Sequence, residues 1–122
     1  MGSLGRLESI PLKRRFRLTR QSDVKRVRRQ GKSFAHPFVV LIALSNGTQQ
    51  SHVAVAAGRS VGNAVERNRS KRVLRAAIQP FLSGLKPGYD LILLARKPAL
   101  AIKSPEMHAI IEQLLQKARL LS

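Results

Sequence analysis

Residues 38–44 are apolar without a break: Phe38, Val39, Val40, Leu41, Ile42, Ala43 and Leu44. A run of this length with no polar alternation predicts a strand buried on both faces, in the middle of a sheet. The polar stretch 45–51 contains Asn46-Gly47 and predicts a loop. His52, Val53, Ala54, Val55, Ala56 and Ala57 then predict a second strand, most simply the hairpin partner of the first. Residues 89–95, from Tyr89 to Ala95, give a third. Between the second and third strands, Val73, Leu74, Ala77, Ile78 and Phe81 share one side of a helical wheel. A helix joining two strands predicts that those strands pair in parallel. Asn63 is a good N-cap for it, Glu66 three residues on completes a capping-box pattern, and Gly62 suits a tight entry turn. Pro80 ends or kinks the helix, and Ser83-Gly84 and Lys86-Pro87-Gly88 punctuate the exit.

Two shorter helices flank this centre. Ser22 can cap a helix over residues 23–30, with Val24 and Val27 as its apolar stripe and Gly31 at the C′ position. Asp23 suits its positive end, and Arg28 and Arg29 its negative end. Near the C-terminus, Ser104 as cap, Pro105 and Glu106 open a helix whose apolar face is Ile110, Ile111, Leu114, Leu115 and Ala118. Residues 1–12 show no periodicity and are expected to be a flexible leader. Residues 13–122 are then one domain of α+β class, a small two-layer sandwich in the order α-β-β-α-β-α.

Charge changes this picture from a fold to a partner. The chain of 122 residues carries 23 Lys and Arg against 6 Asp and Glu, a formal charge of +17. A compact domain with that much like charge repels itself, so a polyanion is the expected partner, with nucleic acid first. An anionic membrane ranks lower, because no basic amphipathic stretch is flanked by Trp or Phe. There is no cysteine, hence no disulfide or thiolate metal site. No apolar run reaches the length of a membrane span and no signal-peptide core is visible, which leads to the expectation of a cytoplasmic protein.

The cations concentrate in two places. Residues 13–32 hold ten cations and one acid, Asp23. The central helix presents Arg67, Asn68, Lys71, Arg72 and Arg75 opposite its apolar face, with Arg69 at the edge of that arc. Its one acid, Glu66, is used as a cap, so the cations lack i,i+4 partners. From Arg59 to Arg75, five arginines outnumber one lysine, and arginine is suited to bidentate phosphate contact. Protein-borne catalysis finds no support. His36, His52 and His108 lie on different elements without metal-ligand spacing, and the six acids form no close pair in sequence. No phosphate-binding loop of the nucleotide-hydrolase type is present. With one Tyr and no Trp, a platform for stacking several bases is poorly supplied; Phe38 is expected in the core, and Phe16 and Phe34 are weak stacking candidates.

Residues 61–75, and above all Arg67-Asn68-Arg69, closely resemble the signature helix of the bacterial ribonuclease P protein component. Arg17-Leu18 leading into Ser22-Asp23, Gly31 after the first helix, and residues 91–95 followed by Arg96-Lys97-Pro98 are similar to other parts of that family. The resemblance spans roughly residues 14–120. It implies the protein subunit of a ribonucleoprotein endonuclease that removes the 5′ leader of precursor tRNA. It implies further that the RNA subunit hydrolyses the phosphodiester with Mg²⁺ that it mainly holds itself, so that no protein residue is catalytic and none is a metal ligand. The protein would bind the catalytic RNA and the leader and strengthen substrate and Mg²⁺ affinity, with no obligate protein partner. Carried over by position, Arg67, Asn68, Arg69, Lys71, Arg72 and Arg75 would contact the catalytic RNA. Arg17, Arg20, Val24, Arg28, Ile42, Arg96 and Lys97 would contact the leader or other RNA. The family also implies a left-handed crossover around the signature helix, where the general rule for parallel units gives a right-handed one. One departure stands out: positions where the family carries aromatics in its leader cleft are here Val24, Arg28 and Ile42. The competing expectation is a non-enzymatic RNA-binding protein of ribosomal type. A DNA-binding helix-turn-helix protein comes third, because no short helix precedes the basic one at the right spacing.

Overall fold

Strand β2 (Val39–Ser45) is apolar on both sides because both sides are covered. The computed structural model describes residues 16–97 and 102–121, so the expected leader 1–12, the cations of residues 13–15 and Pro98 lie outside the described residues. Among them a four-stranded sheet has the order β1-β2-β4-β3, with β1 (Lys32–Ala35), β3 (His52–Ala57) and β4 (Tyr89–Ala95). β4 pairs antiparallel with β2, from Val39 opposite Ala95 to Ser45 opposite Tyr89, and parallel with β3, from His52 beside Asp90 to Ala57 beside Ala95.

The parallel pairing around the central helix is as the pattern predicts. The hairpin between β2 and β3 is not formed: β4 inserts between them, and the hairpin partner of β2 is β1. The reason lies in the side chains. β2 and β4 are apolar on both faces and take the two central places. β3 carries His52, Ala54 and Ala56 on one face and suits an edge. β1, Lys32-Ser33-Phe34-Ala35, is short and mostly exposed, so it gives no strand signal. As a charged edge strand it also discourages pairing with other chains.

Helix α2 (Ala64–Ile78) and helix α3 (Ser104–Lys117) cover one face of the sheet. The main core forms there from Val39, Leu41, Val53, Leu91 and Leu93 of the sheet, Leu74, Ala77 and Ile78 of α2, and Met107, Ile111, Leu114 and Leu115 of α3. Phe16 is buried in this core, which removes it as a base-stacking candidate; Phe34 and Phe38 are half-buried against it. A 3-10 turn (Gln79–Gly84) continues α2 past Pro80. Lys103, not Ser104, occupies the N-cap of α3, and its N–H donates to the Glu106 carboxylate at 3.4 Å. No helix among the described residues is long and apolar enough to cross a membrane.

The opposite face has a smaller core under helix α1 (Gln21–Gln30), where Val27 is sealed against Ile42, Ile92 and Leu18. α1 begins before the expected residue 23, with Arg20 at the N-cap, so Ser22 lies in its first turn and makes no cap. A buried carboxylate pins the helix to the sheet. Asp90 accepts from Arg26 Nη2 at 3.1 Å and from Asn46 Nδ2 at 2.8 Å, and lies 3.0 Å from His52 Nδ1. Gly31 ends α1 in extended backbone, not the left-handed conformation expected of a C′ glycine. Glycine is required there by space: a Cβ would sit 2.5 Å from the Val27 carbonyl oxygen and 2.7 Å from Ile42 Cγ2. Gly31→Ala should therefore destabilise the domain by about 1–3 kcal/mol through overpacking. A chemical melt with an unchanged midpoint would contradict this.

Candidate nucleic-acid interface

Helix α2 is held at its start by reciprocal bonds. Glu66 N–H donates to Asn63 Oδ1 and Asn63 N–H donates to Glu66 Oε1, both at 2.9 Å. This is the expected capping box, and it commits one oxygen of the helix's one carboxylate to the backbone. Gly62 precedes it at φ 149°, a conformation that L side chains rarely adopt, and a Cβ there would run into the Glu66 carboxylate.

With the start fixed, about 100° per residue divides α2 into four sectors. Ser70, Leu74, Ala77 and Ile78 face the core, and Ser70 is accommodated because its Oγ donates to the Glu66 carbonyl at 3.1 Å. Arg67, Lys71 and Arg75 follow on one flank, half-buried. Asn68 and Arg72 are exposed at the crest. Arg69 lies on the other flank, where Val65, Arg69, Arg72, Val73 and Ala76 face Ser104 of α3 across an open groove of about 610 Å³. The sequence presents these six polar residues as one ridge; the structure divides them between two flanks and the crest between them. Val73, expected in the core, packs against its edge and is half-buried, with part of the side chain lining this groove.

The flank of Arg75 is electrostatically loaded. Its guanidinium is held below the ordinary arginine range, first by desolvation on burial and then by the charges of Arg17 and Arg72. Arg17 thus adds to the α2 field from a segment that bridges to Val53 of β3. The ion pairs among the described residues join Arg26 to Asp23 and Asp90, and His52 to Asp90. None involves a cation of α2.

A second concave surface lies on the other face of the sheet. α1 is too short to cover it, and Val40, Ala56 and Leu94 are left as the floor of a cleft of about 570 Å³. Arg28 of α1 and Arg96 and Lys97 after β4 form its rim. Gly58 and Ser60 close the end that leads into α2. Three of the residues singled out for the leader, Arg28, Arg96 and Lys97, therefore come together. Arg17 and Arg20 lie with Asp23 and His52 at a separate depression. Val24 and Ile42 pack in the small core beneath α1. Ile42 lies opposite Ile92, under Val27, and Val40 two residues away on the same face emerges beyond the helix. Val40 and Leu94 were legible only as buried strand residues, since the length of α1 decides which of them stay open.

Comparison with known proteins identifies the family to which the chain is similar. The family model described as Ribonuclease P matches residues 12–119. The chain is 38% identical over 111 residues to the ribonuclease P protein component of Dehalococcoides mccartyi (strain ATCC BAA-2266 / KCTC 15142 / 195), covering 91% of each protein. It is 37% identical over 112 residues to that of Symbiobacterium thermophilum, covering 90% of this chain and 96% of the relative. The solved Staphylococcus aureus RNase P protein superposes with a TM-score of 0.77 at 25% identity, covering 88% of this chain and 98% of that one.

Proposed function

The chain belongs to the ribonuclease P protein family, and from that premise we propose that it holds a catalytic RNA on helix α2 and the 5′ leader of precursor tRNA in the cleft beside α1. The observation that carries this assignment is the pair of unneutralised cationic surfaces on opposite faces of one sheet. A capped helix dense in arginine suits the fixed phosphates of a folded RNA. A cleft with a cationic rim and an aliphatic floor suits an extended single strand, whose phosphates meet Arg28, Arg96 and Lys97 while its bases lie against Val40 and Leu94. Lacking aromatic rings on that floor, the cleft grips the strand mainly through phosphate and discriminates little among bases.

Phosphodiester hydrolysis belongs to the RNA in this proposal. Among the described residues, no three His, Asp or Glu side chains come together in a set that could hold a metal ion. Mg²⁺, the expected cofactor, is assigned mainly to RNA phosphates. The protein's part is to bring two polyanions together and lower their mutual repulsion, which strengthens both substrate and Mg²⁺ binding.

The test is cleavage of a precursor tRNA at low Mg²⁺ by the organism's own ribonuclease P RNA, with and without the protein. Restored cleavage at the mature 5′ end is expected; RNA binding with no gain in cleavage would point instead to a general RNA-binding protein of ribosomal type. Replacing Arg28, Arg96 and Lys97 by Ala should weaken binding of precursor tRNA by on the order of tenfold or more, since hydrogen bonds to charged groups are lost. Binding of mature tRNA and of the catalytic RNA should change little. Equal losses for precursor and mature tRNA would remove the leader from this cleft.

A further inference from the structure

Val65 is the one large hydrophobic side chain that stands exposed among the described residues, at 74% of its full accessibility. It sits in the first turn of the most cationic helix and adds nothing to the core. Valine is a weaker helix former than the alanine, leucine or arginine around it, so helix stability does not account for it. It lies at the mouth of the α2–α3 groove, and one helical turn and three turns further on Arg69 and Ala76 line the same wall, with Val73 and Arg72 beside them. The groove thus has an aliphatic floor and two arginines, three residues apart, along one rim. Ser104 begins the other side. Glu66, also on the rim, has one carboxylate oxygen committed to the Asn63 N–H at 2.9 Å.

An RNA duplex has no use for such a floor, because it presents phosphates and riboses outward and keeps its bases stacked inside. An unpaired nucleotide matches both parts: its base offers an apolar face, and its flanking phosphates are anionic. We propose that this groove seats one unpaired nucleobase of the catalytic RNA against Val65, Val73 and Ala76, with Arg69 and Arg72 holding the phosphates on either side. The assignment rests on the ribonuclease P reading above and divides α2 into two functions. Arg67, Lys71 and Arg75 supply charge on one flank, while Val65, Arg69 and Arg72 recognise an extruded base on the other.

The experiment is a salt titration of catalytic-RNA binding for the full chain and its Val65→Ser and Arg69→Ala variants, with dimethyl sulfate probing of the RNA in each complex. Val65→Ser should melt like the parent, because the side chain is exposed. Its affinity should fall about threefold to tenfold at every salt concentration, the effect of losing part of a buried valine contact, with the slope of log affinity against log salt unchanged. At least one unpaired nucleotide protected in the parent complex should become reactive. Arg69→Ala should instead lower the magnitude of the slope by about 1. Parental affinity for Val65→Ser, a changed slope, or an unchanged pattern of protection would each overturn the base-seating role while leaving the family reading intact. A parent chain that binds the catalytic RNA without salt dependence would overturn the family-based RNA assignment itself.

Discussion

Leu74→Asp should give a chain with no cooperative melting transition, and catalytic-RNA binding should be lost with the fold. Leu74 is fully buried and sits on the side of α2 that faces the sheet and α3. A carboxylate there has no cation or donor within the apolar cluster to pair with, and burying it costs several kcal/mol whether it ionises or takes up a proton. The total stability of a domain this size is about 5–15 kcal/mol. The loss of leucine packing adds about 2–5 kcal/mol, the cost expected of Leu74→Ala alone. The sum reaches the whole stability, whereas Leu74→Ala should leave a folded but weaker protein. Val73→Asp, one residue earlier, is the control. The apolar periodicity of α2 places Val73 with the core, and it packs against the core's edge, but it is only half-buried and also lines the groove, where a carboxylate reaches water and the arginines at Arg69 and Arg72. Thermal melts followed by circular dichroism separate the three variants. A parent-like transition for Leu74→Asp would mean that α2 is turned differently on the sheet.

That contrast shows where the sequence was informative. The capping box at Asn63 and Glu66 is local, so four residues were enough to place the start of α2 and the rotation of its faces. The apolar runs of β2 and β4 identified them as interior strands, and the parallel β3–α2–β4 unit followed from the order of elements. Neighbour choice did not follow. Whether β2 pairs with β3 or with β4 depends on how the whole sheet shares out its central places, and β1 reveals itself only by occupying the free edge of β2. The cleft is a further case. Its cations were legible as charged residues near element ends. Its floor was not, because Val40 and Ile42 have the same character in sequence and differ only in whether α1 reaches over them. Asp90 was also hidden: an acid in a strand looks like an interruption until Arg26, Asn46 and His52 are brought to it from three other parts of the chain.

Replacing Arg67, Lys71 and Arg75 together by Gln should weaken catalytic-RNA binding on the order of a hundredfold or more at moderate salt, and lower the magnitude of the salt slope by about 2–3, at 0.7–0.9 per phosphate contact. Glutamine keeps the first part of the side-chain stem and a helix propensity near that of Lys and Arg, so α2 itself should persist. The curves of parent and variant should converge as salt rises, because what is lost is counterion release. Stability should move the other way. Burial, Arg17 and Arg72 lower the Arg75 pKa in the folded state, so the folded chain holds that proton less tightly than the unfolded chain does. A cation with a depressed folded pKa is destabilising wherever it is charged, which at neutral pH is always the case for arginine. Removing it should therefore raise the melting temperature of the free protein at low salt, with a smaller gain at high salt where the repulsion is screened. Lower RNA affinity together with a higher melting temperature is the signature of a surface strained for its partner. A slope equal to the parent's would show that these three cations touch no phosphate. A melting temperature below the parent's at low salt would show that their side chains pack for the fold, not against it.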